Sequence, residues 1–175
     1  MIILKACPFP KNKKRKLLRF VKKFIKKENI RDVFDSITID WTPAKTSNTY
    51  GGYYGGLVSL YRDKKAYINL TVFYEINNLN DMRQILWAVY HELIHCRQMF
   101  TGEIIVSQDA NSLVYNQRVY EKLDFRAKVF LDIYDKNPQE ATEYHIKKIP
   151  WEGECYYKSD IYTGIKSFNH KILQI

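Results

Sequence analysis

Between Asn80 and Phe100 the chain carries Ile85, Leu86, Trp87, Ala88, Val89, Leu93, Ile94 and Met99, which cover more than one face of a helix. A helix apolar on several sides has to be enclosed by the rest of its domain, so this stretch constrains the fold more than any other. Asn80 or Asp81 can cap its start, and Gly102 lies just beyond its expected end. In the middle of this enclosed element stand His91-Glu92-Leu93-Ile94-His95.

Side chains four apart on a helix stack on one face, so His91 and His95 can converge on a single ion while Glu92 projects at the edge of that face. The arrangement suits a zinc hydrolase, with His91 and His95 as metal ligands and Glu92 as the general base acting on a metal-activated water. The plain alternative is a pair of histidines satisfied by ordinary hydrogen bonds. Only 4 His occur in the chain, and two of them fall at this spacing inside an apolar helix, where each imidazole would need its own polar partner.

Other segments fill in an α+β fold. From Lys11 to Glu28 the apolar Leu17, Leu18, Val21, Phe24 and Ile25 recur near helical spacing among lysines and arginines, which predicts a basic amphipathic helix. Between Val33 and Trp41 the period changes: Ile37, Ile39 and Trp41 alternate with Ser36, Thr38 and Asp40, as in a half-exposed strand. Thr42 to Gly56, with Pro43 and Gly51-Gly52-Tyr53-Tyr54-Gly55-Gly56, reads as a loop or a loose hairpin connection, whose Gly51 to Gly56 part suits either a flap over the cleft or a plain surface hairpin loop. Leu57–Tyr61 and Ala66–Phe73 are expected strands joined by the turn Arg62-Asp63-Lys64-Lys65. Further on, Leu113–Tyr120 reads as a strand, Phe125–Tyr134 as a short helix and Gln139–Lys147 as another, and Pro150 suits the first turn of a last helix from Trp151 to about Tyr157. The expected architecture is a small antiparallel or mixed sheet packed against the His91–His95 helix and a second ligand-bearing helix, all within one domain spanning residues 1–175.

A catalytic zinc takes a third protein ligand and keeps one position for water. Downstream candidates are Glu103, Asp109, Glu121, Asp124, Glu140, Glu143, His145, Glu152 and Glu154, among which spacing alone does not choose. Glu152 is attractive because Pro150 fixes a helix start and places it on a rigid first turn; Glu140, Glu143 and Glu154 are its rivals. Glu154, two positions on, points about 200° away on a helix, so it suits orienting a histidine or a surface ion pair. His145, Tyr156 and Tyr157 are candidate donors to the developing oxyanion.

The pair of segments His91-Glu92-Leu93-Ile94-His95 and Pro150-Trp151-Glu152-Gly153-Glu154-Cys155 resembles the two motifs of small gluzincin-type zinc metallopeptidases, including phage and bacterial proteins whose second motif reads Pro-aromatic-Glu-x-Glu-Ala. Cys155 stands at the alanine place and Gly153 is unusual inside a helix. The resemblance spans about Tyr53 to Tyr157 and implies a minimal gluzincin-like core, a zinc ion held by His91, His95 and Glu152, and peptide or protein substrates cut by an endopeptidase. An extended peptide is expected to pair with the edge of the strand holding Tyr67 to Thr71.

Composition sets the remaining expectations. The formal charge of +9 is concentrated between Lys5 and Lys27, and this basic helix admits a rival reading as a nucleic-acid-binding or toxin-like module; a solvated charged face accounts for it with fewer assumptions. Met1-Ile2-Ile3-Leu4 is too short for a secretory h-region, no run approaches the roughly 18 apolar residues of a membrane span, and three widely spaced cysteines suit a reducing compartment, so the expected location is cytoplasmic. Cys96 beside His95 reads as core, and no Walker or dinucleotide glycine pattern occurs.

Overall fold

A computed structural model describes residues 1–7, 9–31, 34–43, 55–61, 65–72, 79–106, 112–121 and 137–167. The architecture is α+β, with four helices and two small sheets among these residues. The chain divides into two compact units, Met1–Arg97 and Gln98–Ile175.

In the first unit, strand β1 (Ile2–Lys5) leads into helix α1 (Lys11–Lys27) and returns to strand β2 (Ser36–Pro43), which lies parallel to β1. Parallel neighbours need such a crossover. Strand β3 (Gly55–Tyr61) then pairs antiparallel with β4 (Lys65–Val72), and β4 also pairs parallel with β2, giving the order β1-β2-β4-β3. The sheet is therefore mixed, and β4 is an interior strand. This corrects the expectation that a peptide pairs along Tyr67 to Thr71, because the ladder on both sides of β4 is already taken by β2 and β3.

The alternation in β2 is realised: Ile37, Ile39 and Trp41 are buried, while Ser36, Thr38 and Asp40 are half-exposed. Register places Ile37 beside Ala66 and Ile39 beside Ile68, so both interior strands bury the same face. The other face carries Tyr67, whose hydroxyl donates to Asp40 Oδ2 and whose ring lies under Lys5 Nζ at 5.8 Å. Leu17, Val21, Phe24 and Ile25 form the buried stripe of α1 at helical spacing. Phe24 stacks on Tyr90 of helix α2 (Leu79–Phe100), with ring centroids 4.2 Å apart. Within α2, Ile85, Val89, Leu93 and Ile94 are each fully buried, and each such side chain contributes roughly 1.5–3 kcal/mol relative to exposure. Because α2 begins at Leu79, Asn80 and Asp81 fall inside its first turn and not before it.

In the second unit, Gly102 adopts φ +77° just past α2 and donates its N–H to the Met99 carbonyl at 3.2 Å, the left-handed helix ending that glycine permits. Strands β5 (Ile104–Val106), β6 (Ser112–Tyr115) and β7 (Arg118–Glu121) form an antiparallel meander. The single strand expected over Leu113–Tyr120 is thus a hairpin. Its turn residues Asn116 and Gln117 both have positive φ, 49° and 64°, the backbone of a type I′ turn that matches strand twist. Tyr115 and Tyr120 pack on Trp151 at centroid distances of 5.7 and 5.1 Å, and with Ile104 and Ile149 they make a small core.

Helix α3 (Pro138–Lys148) is capped by Asn137, whose Oδ1 accepts from the Glu140 N–H, with Pro138 at the first position. Pro150 stands just before helix α4 (Glu152–Thr163), not inside its first turn, and its carbonyl accepts from the Gly153 N–H at 3.1 Å. Gly164, φ 72°, ends α4. Asp160, buried, accepts from both the N–H and the hydroxyl of Ser167 and so ties down the segment that follows. The Phe125–Tyr134 helix and most of the Thr42–Gly56 loop, residues 44–54, lie outside the described residues.

Candidate metal centre

His91 and His95 occupy successive turns of α2, and the helix turns both rings to one side. Their Nε2 atoms are 3.1 Å apart. Two nitrogens bound at about 2.0–2.1 Å to a tetrahedral zinc are separated by about 3.3–3.4 Å, so the pair stands close to the spacing of two ligands on one ion. Trp87, one turn earlier on the same face, stacks on His91 with centroids 5.1 Å apart and limits the swing of that ring. His91 is buried and His95 half-buried.

Glu92 is also buried, at 8% exposure, next in the chain to the first imidazole. Burying a carboxylate is costly, and such a group in an apolar helix is retained only with compensating partners or a chemical role.

Gln98 extends the histidine face, three residues after His95, and is fully buried. Its amide Nε2 donates to the Trp151 carbonyl at 3.1 Å and to Glu154 Oε2 at 3.2 Å, while the Cys155 thiol donates to its Oε1 at 3.6 Å. These contacts join the last turn of α2 to the start of α4. His91, His95 and Cys155 offer ligand atoms that all lie within 4.8 Å of one another, a group that can hold a metal ion. Nitrogen and thiolate donors are a soft set of the kind that holds transition metals.

Cys155 was absent from the candidates named on sequence grounds. The signal was present: Cys155 follows Glu152 by three residues and so shares its helix face. Glu152 is the first residue of α4 and half-buried; it is not among the three clustered groups. Glu154 is engaged by Gln98 and by Lys158 Nζ at 3.3 Å, in keeping with the ion-pair role expected of it. Glu140 is exposed near the α3 cap, and Glu143 accepts from Gln139 at 3.3 Å. Glu103 accepts from the Thr101 hydroxyl at 2.8 Å. Asp109, Asp124 and the side chain of Glu121 lie outside the described residues.

His145 Nδ1 and the buried Tyr156 hydroxyl are 3.2 Å apart, so two of the three expected donors form one pair between α3 and α4. No disulfide links Cys7, Cys96 and Cys155, and Cys96 is fully buried, as expected of a core thiol. No helix among the described residues is long and apolar enough to cross a membrane. The chain matches no family model, no curated protein and no solved structure.

Proposed function

We propose that the protein is a zinc-dependent hydrolase that cuts peptide bonds, a gluzincin-type endopeptidase acting in the cytoplasm. The observation that carries this reading is the convergence of His91 and His95 Nε2 at 3.1 Å with the buried carboxylate of Glu92 beside them. Zinc bound there would supply a water of lowered pKa and a Lewis acid that polarises the scissile carbonyl. Glu92 accepts the proton of the attacking water and returns it to the departing amine, which needs no covalent intermediate with the protein.

Helix α4 is the source of the third ligand in this account. Glu152 holds that place in the gluzincin resemblance, and Cys155 holds it in the group of three clustered donors. Either one leaves a position for water, whereas both together would close the shell. A cobalt-loaded sample distinguishes them. A sulfur-to-metal charge-transfer band that disappears in Cys155→Ala assigns the cysteine; its absence, with metal lost in Glu152→Gln, assigns the glutamate.

The test of the activity is an unbiased peptide-cleavage screen on chelator-treated protein with and without added zinc. Cleavage that depends on zinc and vanishes in His95→Ala supports the proposal. Zinc binding with no cleavage of any peptide would reject hydrolysis of this class and leave a structural metal.

A further inference from the structure

We propose that the outer face of α1 binds nucleic acid through its phosphate backbone, without reading base sequence. Lysine or arginine fills most of the positions of this 17-residue helix that its core stripe does not use, and no Asp or Glu stands in it. Lys11, Arg15, Arg19, Lys22 and Lys26 are all exposed. Their spacing, three to four residues throughout, sets them in one row on the side away from the buried Leu17, Val21, Phe24 and Ile25, over roughly 22 Å of helix axis. None of the five has a carboxylate partner among the described residues.

Such a row is unfavourable for the isolated helix. Like charges at i, i+4 repel, and cations in the first turn oppose the helix dipole. A face that served only solubility would gain from mixed signs, which this helix lacks. A linear polyanion relieves the repulsion along the whole row at once, releasing its own counterions. Phe20 lies between this row and the buried stripe, a half-exposed ring with Lys16 Nζ and the Arg19 guanidinium 5.9 and 5.7 Å from its centroid.

An anionic bilayer is the other polyanion to weigh. An interfacial helix inserts its apolar face among the lipids, and here that face is spent on the core, with Phe24 stacked on Tyr90. Nucleic acid needs only the basic face.

The experiment is fluorescence anisotropy of the full chain with labelled duplexes of about 20 base pairs in two unrelated sequences, titrated between roughly 50 and 200 mM KCl. The expected result is equal affinity for both sequences and a salt slope of about −4 to −5, a loss of roughly several hundred-fold across that range. The variant Arg15→Gln/Arg19→Gln/Lys22→Gln/Lys26→Gln, with its helix content checked by circular dichroism, should bind at least tenfold more weakly with a slope near −1; Arg15→Lys/Arg19→Lys should bind like wild type. Glu92→Gln should bind like wild type as well, which separates this surface from the metal centre. No binding at the lowest salt, undiminished binding by the glutamine variant, or binding to phosphatidylserine vesicles in place of duplex would overturn the proposal.

Discussion

The Nε2 atoms of His91 and His95 stand 3.1 Å apart on successive turns of one buried helix. At that distance the two nitrogens share either a proton or a metal ion. A shared proton makes one Nε2 the donor and the other the acceptor; an ion requires both to be unprotonated.

Zinc titration followed by histidine NMR therefore gives a direct readout. Both rings should move to the tautomer protonated at Nδ1 at one equivalent of zinc, and His91→Ala or His95→Ala should abolish tight binding. Zinc held at about 100 times its Kd should raise unfolding free energy by about 2.7 kcal/mol. Metal uptake undiminished in both alanine variants would place the ion elsewhere.

Gln98 is the buried amide that joins the end of α2 to Trp151, Glu154 and Cys155. Gln98→Leu keeps the volume and removes every one of these bonds, and the Trp151 carbonyl keeps only the weaker Cys155 thiol donor at 3.6 Å. The expected cost is about 1–3 kcal/mol in chemical denaturation. An unchanged midpoint would show that the amide contributes nothing net.

Tyr90 gives a pH signature. Burial against the ring of Phe24 pushes its phenol well above the ordinary value of 10.0, and Tyr115 is raised as well, by burial first and then by Glu154 and Glu103. Both groups stay neutral in the folded protein after they would ionise in the unfolded chain. Their stabilisation is complete below pH 10 and is lost as pH climbs from 10.0 through the raised values. Unfolding free energy measured from pH 8 to 11 should fall at the alkaline end, and Tyr90→Phe should flatten that fall. A variant with the same alkaline slope as wild type would remove Tyr90 from this account.

The parts of the fold with local periodicity were legible in the sequence. Ile37, Ile39 and Trp41 alternate as β2 requires, and the core stripe of α1 stands at helical spacing. What depends on distant pairing was not. Ile2–Lys5 is too short to show a period, and it becomes a strand only because β2 lies beside it. The interior position of β4 follows from its ladder to β2, which no local pattern in Lys65–Val72 encodes. Asn116-Gln117 lacks the glycine that usually marks a type I′ turn, so a hairpin read as one strand. At the candidate metal centre, the convergence of His91 and His95 was readable from their spacing on one helix, while the three-residue step from Glu152 to Cys155 marks a shared face without saying which of its side chains meets Gln98.

The central claim is that Glu92 does chemistry beside a metal it does not hold. The decisive measurement is zinc content and peptide-hydrolysis rate on the same preparations of wild type and Glu92→Gln. The amide cannot accept the water proton, so the variant should keep its zinc and lose turnover by about 10²–10⁴-fold. Hydrolysis at the wild-type rate by zinc-loaded Glu92→Gln would contradict the account.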